Sequence, residues 1–384
     1  MTMTELPTID ISGDRRELGR QHGEAARDQI RSSIEYYQRS FQRITGLGWE
    51  AIRRNAPRWV PHVEAYLPGI SEEVRGIAEG AKVPFEDVLA LNARGELSTH
   101  NPFADDPDEG CSSFAILPEA AGDGHVYCGQ NWDWRCETFG TVVLLRIRQP
   151  GKPTIIMQTE AGQVGRHGAN STGIALNANG LGTRWGKGVG TPQPFIRRKI
   201  LESVDMQEAL QAVMDARPSL CSNLLITHRD AFAIDLETTP DRHGWMYPTD
   251  GLLVHTNHFI AFMPEQIAGT YRPFSVNSLW RLPRLTAGLR KAKTASGSEN
   301  VRASIAAALS DHFGYPNAVC KHADDRSIGT DRNQTIASSI VDLTTGEYRI
   351  AAGNPCESRH QLLPWNLYEE ARSPQRRSVV SASA

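Results

Sequence analysis

A cysteine that directly follows a glycine and opens an apolar run is the feature that most constrains this chain. The run reads Gly-Cys-Ser-Ser-Phe-Ala-Ile and starts at Gly110. Residues 100–109, just upstream, are rich in Pro and Asp, a composition typical of an exposed loop. A thiol at the first residue of a strand, behind an exposed loop, is well placed to attack its own backbone. We therefore predict self-cleavage at the Gly110–Cys111 peptide bond.

The chemistry of such a cleavage suits these two residue types. The Cys111 thiol can attack the Gly110 carbonyl and convert the amide to a thioester, and Gly110 has no side chain to hinder the approach. Water then releases the upstream segment and leaves Cys111 with a free α-amine. The pKa of an α-amine is roughly 7.7–8.0, against about 8.5 for a thiol, so the amine can serve as the base for its own thiol. The alternative is a small buried cysteine at the start of a strand.

Composition argues against several classes of protein. The chain has 384 residues, 40% of them hydrophobic, which supports a sizeable core. Its net charge is −3 without a basic block, so we expect no nucleic-acid partner. No run approaches the length of a membrane span, so we expect no membrane partner either. Six cysteines without repeated spacing, and an N-terminus unlike a secretory signal, favour reduced thiols and a cytoplasmic location.

Helical periodicity dominates the first part of the chain. In residues 14–41, apolar and small residues recur every three or four positions and form one face. Further helices are predicted over residues 49–65, 69–81 and 85–94. We therefore predict a mostly helical N-terminal segment, residues 1–110, followed by a catalytic unit, residues 111–384. The polar tail from about residue 368 is expected to be disordered.

After Cys111 the pattern changes to short β-rich runs. Strands are predicted at residues 112–117, 125–129, 141–148, 154–158, 173–176, 223–227, 231–236, 252–255, 335–343 and 348–352. Helices are predicted at residues 195–202, 276–289 and 298–309, and after Asp205, which has capping-box spacing to Glu208. This order favours an α+β fold of two stacked antiparallel sheets with helices on both outer faces, a four-layer αββα sandwich, over a generic α+β domain.

Short motifs, taken in order along the chain, resemble one enzyme family. They are Gly19-Arg-Gln-His-Gly23, Gly110-Cys-Ser-Ser, Gly129-Gln-Asn-Trp-Asp133, Leu253-Val-His-Thr-Asn-His-Phe259, Asp311-His312 with Cys320-Lys-His322, and Gly353-Asn-Pro-Cys356. With these motifs the chain resembles the acyl-coenzyme A:6-aminopenicillanic acid acyltransferase family of autoproteolytic cysteine N-terminal-nucleophile (Ntn) hydrolases. The resemblance implies the αββα Ntn-hydrolase fold, cleavage into a small and a large subunit, and acyl chemistry on amides or thioesters.

The resemblance also implies roles for three residues. Cys111 matches the nucleophile, Asp133 the carboxylate that holds the new α-amine, and Asn257 the amide that donates to the oxyanion. These roles agree with the chemistry, because a carboxylate orients an amine and an amide N–H stabilises a tetrahedral oxyanion. The alternatives are a turn aspartate that bonds its own backbone and an asparagine that caps a strand end.

Further candidates are less sharply defined by the pattern. The candidates for a second oxyanion donor are Asn177 and Asn179, which follow the strand predicted over residues 173–176. Related choloylglycine-type hydrolases use an arginine late in the chain, and Arg332 is the nearest candidate here. Trp132 and Trp134 are candidates for framing an acyl group, although tryptophans are also common in cores.

No metal site and no cofactor are expected. His255 and His258 would point to opposite faces of a strand, and no nearby cysteine or histidine completes a zinc set. A coenzyme A thioester remains an option as acyl donor.

We therefore expect an autoproteolytically activated cysteine amidohydrolase or acyltransferase. It would cleave or transfer an acyl group from a small-molecule amide or thioester through an acyl-enzyme on Cys111. Its partners would be that small molecule and, after cleavage, the two fragments for each other. The alternatives are a metal- or serine-dependent hydrolase of unrelated mechanism and a non-catalytic binding protein on the same fold.

Overall fold

Two β-sheets lie face to face in the computed structural model, which describes residues 5–98, 110–182, 189–326 and 332–369. The strands of these residues are β1 (Thr8–Ser12), β2 (Gly110–Ile116), β3 (Tyr127–Arg135), β4 (Val142–Arg148), β5 (Ile155–Glu160), β6 (His167–Asn170), β7 (Ile174–Gly180), β8 (Ser222–His228), β9 (Phe232–Thr238), β10 (His243–Met246), β11 (Leu252–His255), β12 (Asn333–Asp342), β13 (Glu347–Ala352) and β14 (Gln361–Asn366). One sheet has the order β1-β4-β5-β6-β7-β8-β9-β10, and the other β11-β2-β3-β12-β13-β14.

Helices cover the outer face of each sheet. They are α1 (Arg15–Ala25), α2 (Arg27–Thr45), α3 (Trp49–Asn55), α4 (Val60–Tyr66), α5 (Ile70–Ala81), α6 (Phe85–Asn92), α7 (Arg94–Ser98), α8 (Gln193–Leu201), α9 (Met206–Asp215), α10 (Ser278–Leu289) and α11 (Ser298–Leu309). None of the helices in the described residues has both the length and the apolar character that crossing a bilayer requires.

The alternation of side chains along the strands creates three hydrophobic layers. Leu144 of β4 and Ala115 of β2 pack between the two sheets. Val143, next to Leu144, points to the other face of its strand, where the core includes α1, α2, α5 and α8. Phe114 and Ile116, on either side of Ala115, pack against α10 and α11. The predicted four-layer αββα sandwich is therefore confirmed.

Most predicted elements are present, with ends shifted by a few residues. The predicted helix over residues 14–41 is instead two helices that meet at Ala26. The predicted cap is confirmed, because the Asp205 carboxylate accepts the Glu208 N–H at 2.8 Å. The short strands β1, β6, β10 and β14 were not predicted. Tyr368 is buried, and residues 370–384 of the predicted disordered tail lie outside the described residues, as do residues 100–109.

The N-terminal segment is part of the sandwich. Its first strand, β1, pairs in parallel with β4, with Thr8 opposite Leu144 and Ser12 opposite Arg148. Arg15, at the start of α1, forms an ion pair of 2.5 Å with Glu202, which lies beyond Cys111 in the chain. Residues on the two sides of the predicted cleavage point therefore share one sheet and one core.

Four glycines let α1 and α5 cross with their backbones in contact. They are Gly19 and Gly23 in α1 and Gly76 and Gly80 in α5. A Cβ on any of them would overlap a carbonyl oxygen of the facing helix. The glycines of the Gly19-Arg-Gln-His-Gly23 motif are thus required by the packing of these two helices.

Substitution of Gly19 by alanine should destabilise the fold. Alanine favours a helix by about 1 kcal/mol over glycine, but overpacking at a backbone contact costs about 1–3 kcal/mol or more. We expect Gly19→Ala to lower the midpoint of urea unfolding. Gly140→Ala is the matched control, because a Cβ there meets no atom within 4 Å. Equal midpoints for the two variants would contradict the close crossing.

Candidate active site

The pairing of β2 with β3 places Gly110 and Cys111 beside Asp133. In this antiparallel pair Gly110 lies opposite Asp133 and Cys111 lies opposite Trp132. A Cβ on Gly110 would lie 2.7 Å from Asp133 Oδ2, so the carboxylate packs directly against the glycine backbone. The strand register therefore brings the predicted carboxylate to the predicted cleavage point, and only glycine fits there.

Arg281, on α10, is the central hydrogen-bond donor of the site. Its side chain is fully buried. Nη1 donates to the Cys111 carbonyl at 2.7 Å and to Ser112 Oγ at 3.0 Å. Nη2 donates to Asn257 Oδ1 at 2.7 Å, and Nε donates to Asn277 Oδ1 at 2.7 Å. The hydrogen bonds of Arg281 thus connect the start of β2 with the N-terminal end of α10 and with the segment after β11.

Asn257 holds the backbone nitrogen of Cys111. Its Oδ1 accepts the Cys111 N–H at 3.0 Å as well as the Arg281 guanidinium, while its Nδ2 donates to the Gly180 carbonyl at 2.9 Å. Because Cys111 N–H and Arg281 are both donors, only the carbonyl end of the amide can face them. In the uncut chain Asn257 therefore presents an acceptor to the Cys111 nitrogen, and its N–H group, predicted to serve an oxyanion, is engaged by Gly180.

The two candidate asparagines on β7 have different partners. Asn179 Nδ2 donates to the Cys111 carbonyl at 3.0 Å, and its Oδ1 accepts the Ser113 hydroxyl at 2.7 Å. Asn177 Nδ2 donates instead to Gln130 Oε1 at 3.2 Å. Of the two, the structure brings Asn179 into contact with Cys111.

Asp133 is buried and only partly paired. Its Oδ1 accepts the Thr335 hydroxyl at 2.6 Å, whereas Oδ2 has no hydrogen-bond donor among the described residues. Burial raises the pKa of Asp133, against the opposing effects of Arg281, Lys321 and the Thr335 hydrogen bond. Because Oδ2 of this carboxylate has no donor in the described part of the chain and lies next to Gly110, it can accept a hydrogen bond from an ammonium group formed there.

A cavity of about 90 Å³ opens beside Cys111 and Asp133. The charged and aromatic described residues that line it include Arg94, Glu96, Trp134, Arg166 and Arg197. Burial raises the pKa of Glu96 to about 7. Arg94 and Glu96 precede Cys111 in the chain and the other three follow it, so both sides of the predicted cleavage point form the cavity.

The two candidate tryptophans differ in their access to this cavity. Trp134 lines it, and its indole N–H donates to the Tyr37 hydroxyl at 3.1 Å. Trp132 is fully buried and is not among the lining residues, and the Arg166 guanidinium lies 3.8 Å from the centre of its ring. Trp134 can therefore contact a ligand directly, and Trp132 supports Arg166.

Arg332 does not reach the site. Its side chain is 48% exposed and lies 3.3 Å from Asp325 at the surface. The assignment of Arg332 as the late arginine therefore needs correction, and the arginine at Cys111 is Arg281. Its position could have been found from helical periodicity, because Arg281, Leu285 and Leu289 recur every four residues on the buried face of α10.

His255 and His258 have separate hydrogen-bond partners. His255 Nε2 lies 2.9 Å from Glu237 Oε1, and its Nδ1 lies 2.8 Å from the Thr256 carbonyl. Burial works against a charged imidazole, but Asp235 and Glu237 raise the pKa of His255 overall. His258 Nδ1 lies 2.7 Å from Ser278 Oγ. The two histidines thus stabilise the segment that carries Asn257.

Comparison with known proteins identifies several relatives. Residues 120–357 match the model of the family described as acyl-coenzyme A:6-aminopenicillanic acid acyl-transferase, a stretch that begins after Cys111. The acyl-coenzyme A:6-aminopenicillanic-acid-acyltransferase 40 kDa form of Emericella nidulans is 27% identical over 357 residues, which cover 90% of this chain and 92% of that protein.

Similar solved structures are more distant in sequence. The R18L variant of conjugated bile acid hydrolase from Clostridium perfringens is 12% identical, with a TM-score of 0.45, over 67% of this chain and 97% of the hydrolase. Penicillin V acylase from Agrobacterium tumefaciens is 13% identical, with a TM-score of 0.39, over 63% of this chain and 83% of the acylase. From the family match over residues 120–357, this chain belongs to the acyl-coenzyme A:6-aminopenicillanic acid acyltransferase family.

Proposed function

We propose that this chain is a self-processing cysteine Ntn enzyme that cleaves or transfers an acyl group from a small-molecule amide or thioester. The observation that carries the proposal is the arrangement around Cys111. Its nitrogen is held by Asn257 and its carbonyl by Arg281, and the Asp133 carboxylate lies against the preceding residue. In this proposal Cys111 is the nucleophile, Asn257 is the acceptor for its amine and Asp133 is the carboxylate. Cys111 and Asp133 also line the cavity, which supports these roles.

Self-cleavage follows as a sequence of balanced steps. The Cys111 sulfur attacks the Gly110 carbonyl, the C–N bond breaks, and the nitrogen of Cys111 takes up the thiol proton and becomes an amine. Asn257 Oδ1, which already accepts the N–H of this nitrogen, keeps the amine in place. Water then hydrolyses the thioester, which regenerates the thiol and leaves Gly110 with a carboxylate. The ammonium form of the amine lies beside Asp133 and forms an ion pair with it.

The same groups then act on the substrate. The α-amine of Cys111 takes the thiol proton, the sulfur attacks the substrate carbonyl, and the amine returns the proton to the departing amine or thiol. Water or an amine accepts the acyl group in the second half of the reaction.

The charges of the cavity favour an anionic substrate. Arg166 and Arg197 line it with the carboxyl groups of Glu96 and Asp133, and Arg94, which also lines it, forms an ion pair of 2.6 Å with Glu160. The relative from Emericella nidulans is named for coenzyme A and 6-aminopenicillanic acid, and both are anionic molecules. We therefore favour an acyl donor or acceptor that carries a carboxylate or phosphate group, with a coenzyme A thioester as one such donor.

A denaturing gel tests the cleavage. We expect the purified protein to run as pieces of about 12 and 30 kDa, estimated from chain length, and Cys111→Ala to run as one chain of 42.4 kDa. Cys136→Ser is the matched control and should cleave, because Cys136 does not line the cavity. A cleaved Cys111→Ala chain would contradict self-cleavage by this thiol. An uncut, active Cys111→Ala chain would favour an unrelated hydrolase.

The burial of Asp133 predicts a pH dependence of stability in the uncut protein. Its pKa is raised above 3.8, so the folded chain binds this proton more tightly than the unfolded chain. The resulting stabilisation is present below the ordinary pKa and is lost as the pH rises through the raised value. As the pH rises from about 4, the midpoint of thermal unfolding of Cys111→Ala should therefore fall more than that of Cys111→Ala/Asp133→Asn. Parallel profiles would show that Asp133 titrates normally.

Arg281 and Arg332 can be distinguished by the rate of self-cleavage. Lysine keeps the charge of Arg281 but cannot serve Cys111, Asn257 and Asn277 together, so Arg281→Lys should slow cleavage by about 10- to 100-fold, equivalent to about 1.5–3 kcal/mol. Arg332→Ala should cleave at the normal rate because its side chain lies at the surface. Time courses after expression in a cell-free system measure both rates. The reverse result would restore Arg332 to the site.

A further inference from the structure

Four metal-binding side chains converge outside the candidate active site. They are His312, Cys320, His322 and Cys356, and one ligand atom from each lies within 4.8 Å of the others. The residues come from the loop after α11, from the bridge-forming segment before β12, and from the turn between β13 and β14. We propose that this cluster is a structural zinc-binding site. From the sequence alone, only His255 and His258 were considered as metal ligands, and no metal site was expected.

The distances between the ligand atoms fit a tetrahedral ion. The Nε2 atoms of His312 and His322 are 3.2 Å apart, and His322 Nε2 is 3.6 Å from Cys320 Sγ and 3.3 Å from Cys356 Sγ. The two sulfur atoms are 3.5 Å apart. Zinc–sulfur bonds of about 2.3 Å and zinc–nitrogen bonds of about 2.0 Å place tetrahedral ligands roughly 3.3–3.8 Å from one another. These four separations are close to the edges of that tetrahedron, and the His312 nitrogen lies within 4.8 Å of both sulfur atoms.

The set of ligands favours zinc over a disulfide between the two cysteines. Two thiolates and two imidazoles form one of the common sets of structural zinc sites. A disulfide would need a sulfur–sulfur distance of about 2.05 Å, well below the separation of Cys320 and Cys356. Because four protein ligands complete the tetrahedron, no position is left for a substrate. The ion would therefore be structural.

Neighbouring groups support the ligands. Asn354 Nδ2 lies 3.5 Å from Cys320 Sγ, where it can donate to a thiolate, and 2.6 Å from the Lys321 carbonyl, to which it donates. Glu357 Oε1 lies 3.7 Å from His322 Nδ1, the ring nitrogen that faces away from the cluster. A carboxylate beside the second nitrogen of a histidine is a common support for zinc ligands.

The site is linked to Asp133 through Lys321, which lies between two of the ligands. Lys321 N–H donates to Thr335 Oγ1 at 3.0 Å, and Thr335 N–H donates to the Lys321 carbonyl at 2.8 Å. The Thr335 hydroxyl in turn donates to Asp133. Zinc would thus fix the segment that orients this carboxylate. The zinc site does not depend on the proposed function, because none of its four ligands takes part in the proposed chemistry at Cys111.

Metal analysis of the purified full-length protein tests the inference. Protein made in zinc-supplemented medium and purified without chelators should contain about one zinc ion per chain. Cys356→Ser and His312→Asn should each lose most of this zinc, and both residues are exposed, so the variants should fold. Cys136→Ser is the matched control and should keep it. Circular dichroism and gel filtration verify folding in each case.

Cobalt provides a second readout that does not depend on any variant. Titration of chelator-treated, reduced protein with Co²⁺ should produce the intense visible bands of a tetrahedral ion and a thiolate-to-metal charge-transfer band, and Zn²⁺ should abolish them. Folded wild-type protein without zinc and without these bands would overturn the proposal. Equal zinc contents of wild type and Cys356→Ser would also overturn it, as would a mass showing a Cys320–Cys356 disulfide in metal-free protein.

Discussion

A buried positive charge determines the arrangement of the candidate site. Arg281 is fully enclosed, and its guanidinium donates to Cys111, Ser112, Asn257 and Asn277 at 2.7–3.0 Å. An unpaired buried charge costs several kcal/mol, so displacement of any of these acceptors is strongly unfavourable. The start of β2, the segment after β11 and the helix α10 are therefore held in one relative position.

The Gly110–Cys111 bond lies between opposite charges. Asp133 packs against Gly110 on one side, and Arg281 binds the Cys111 carbonyl on the other. One oxygen of the Asp133 carboxylate accepts no hydrogen bond from the described residues. The Arg281 guanidinium, in contrast, donates to several acceptors. Formation of an ammonium group at this point would pair the carboxylate. If the proposed cleavage occurs, the surrounding protein would therefore stabilise the new ammonium group through this carboxylate.

The sequence was most informative where one short-range pattern determines the structure. Helical periodicity located α5 and α11, and capping chemistry located the start of α9 at Asp205. The order of β-rich runs and helices along the chain indicated the two sheets. The short strands β1, β6, β10 and β14 were missed because four to six residues carry too little periodicity, and their pairing depends on neighbours far away in the chain.

For the site, motifs located Cys111, Asp133 and Asn257, and the structure brings all three together. Two features depended on tertiary packing and were not found. Helical periodicity could place Arg281 on the buried face of α10, but its contacts with Cys111 and Asn257 depend on how α10 packs against β2. The cluster of His312, Cys320, His322 and Cys356 forms only when three separate segments meet.

The parallel pairing of β1 with β4 affects the lifetime of the folded protein. While the chain is continuous, an unfolded molecule can recover β1 by an intramolecular search. Once the proposed cleavage has occurred, refolding requires two separate polypeptides to meet, and at low concentration this step is slow. Survival of the mature protein would then depend on the rate at which β1 and the helices after it detach, which makes its lifetime a kinetic rather than an equilibrium property.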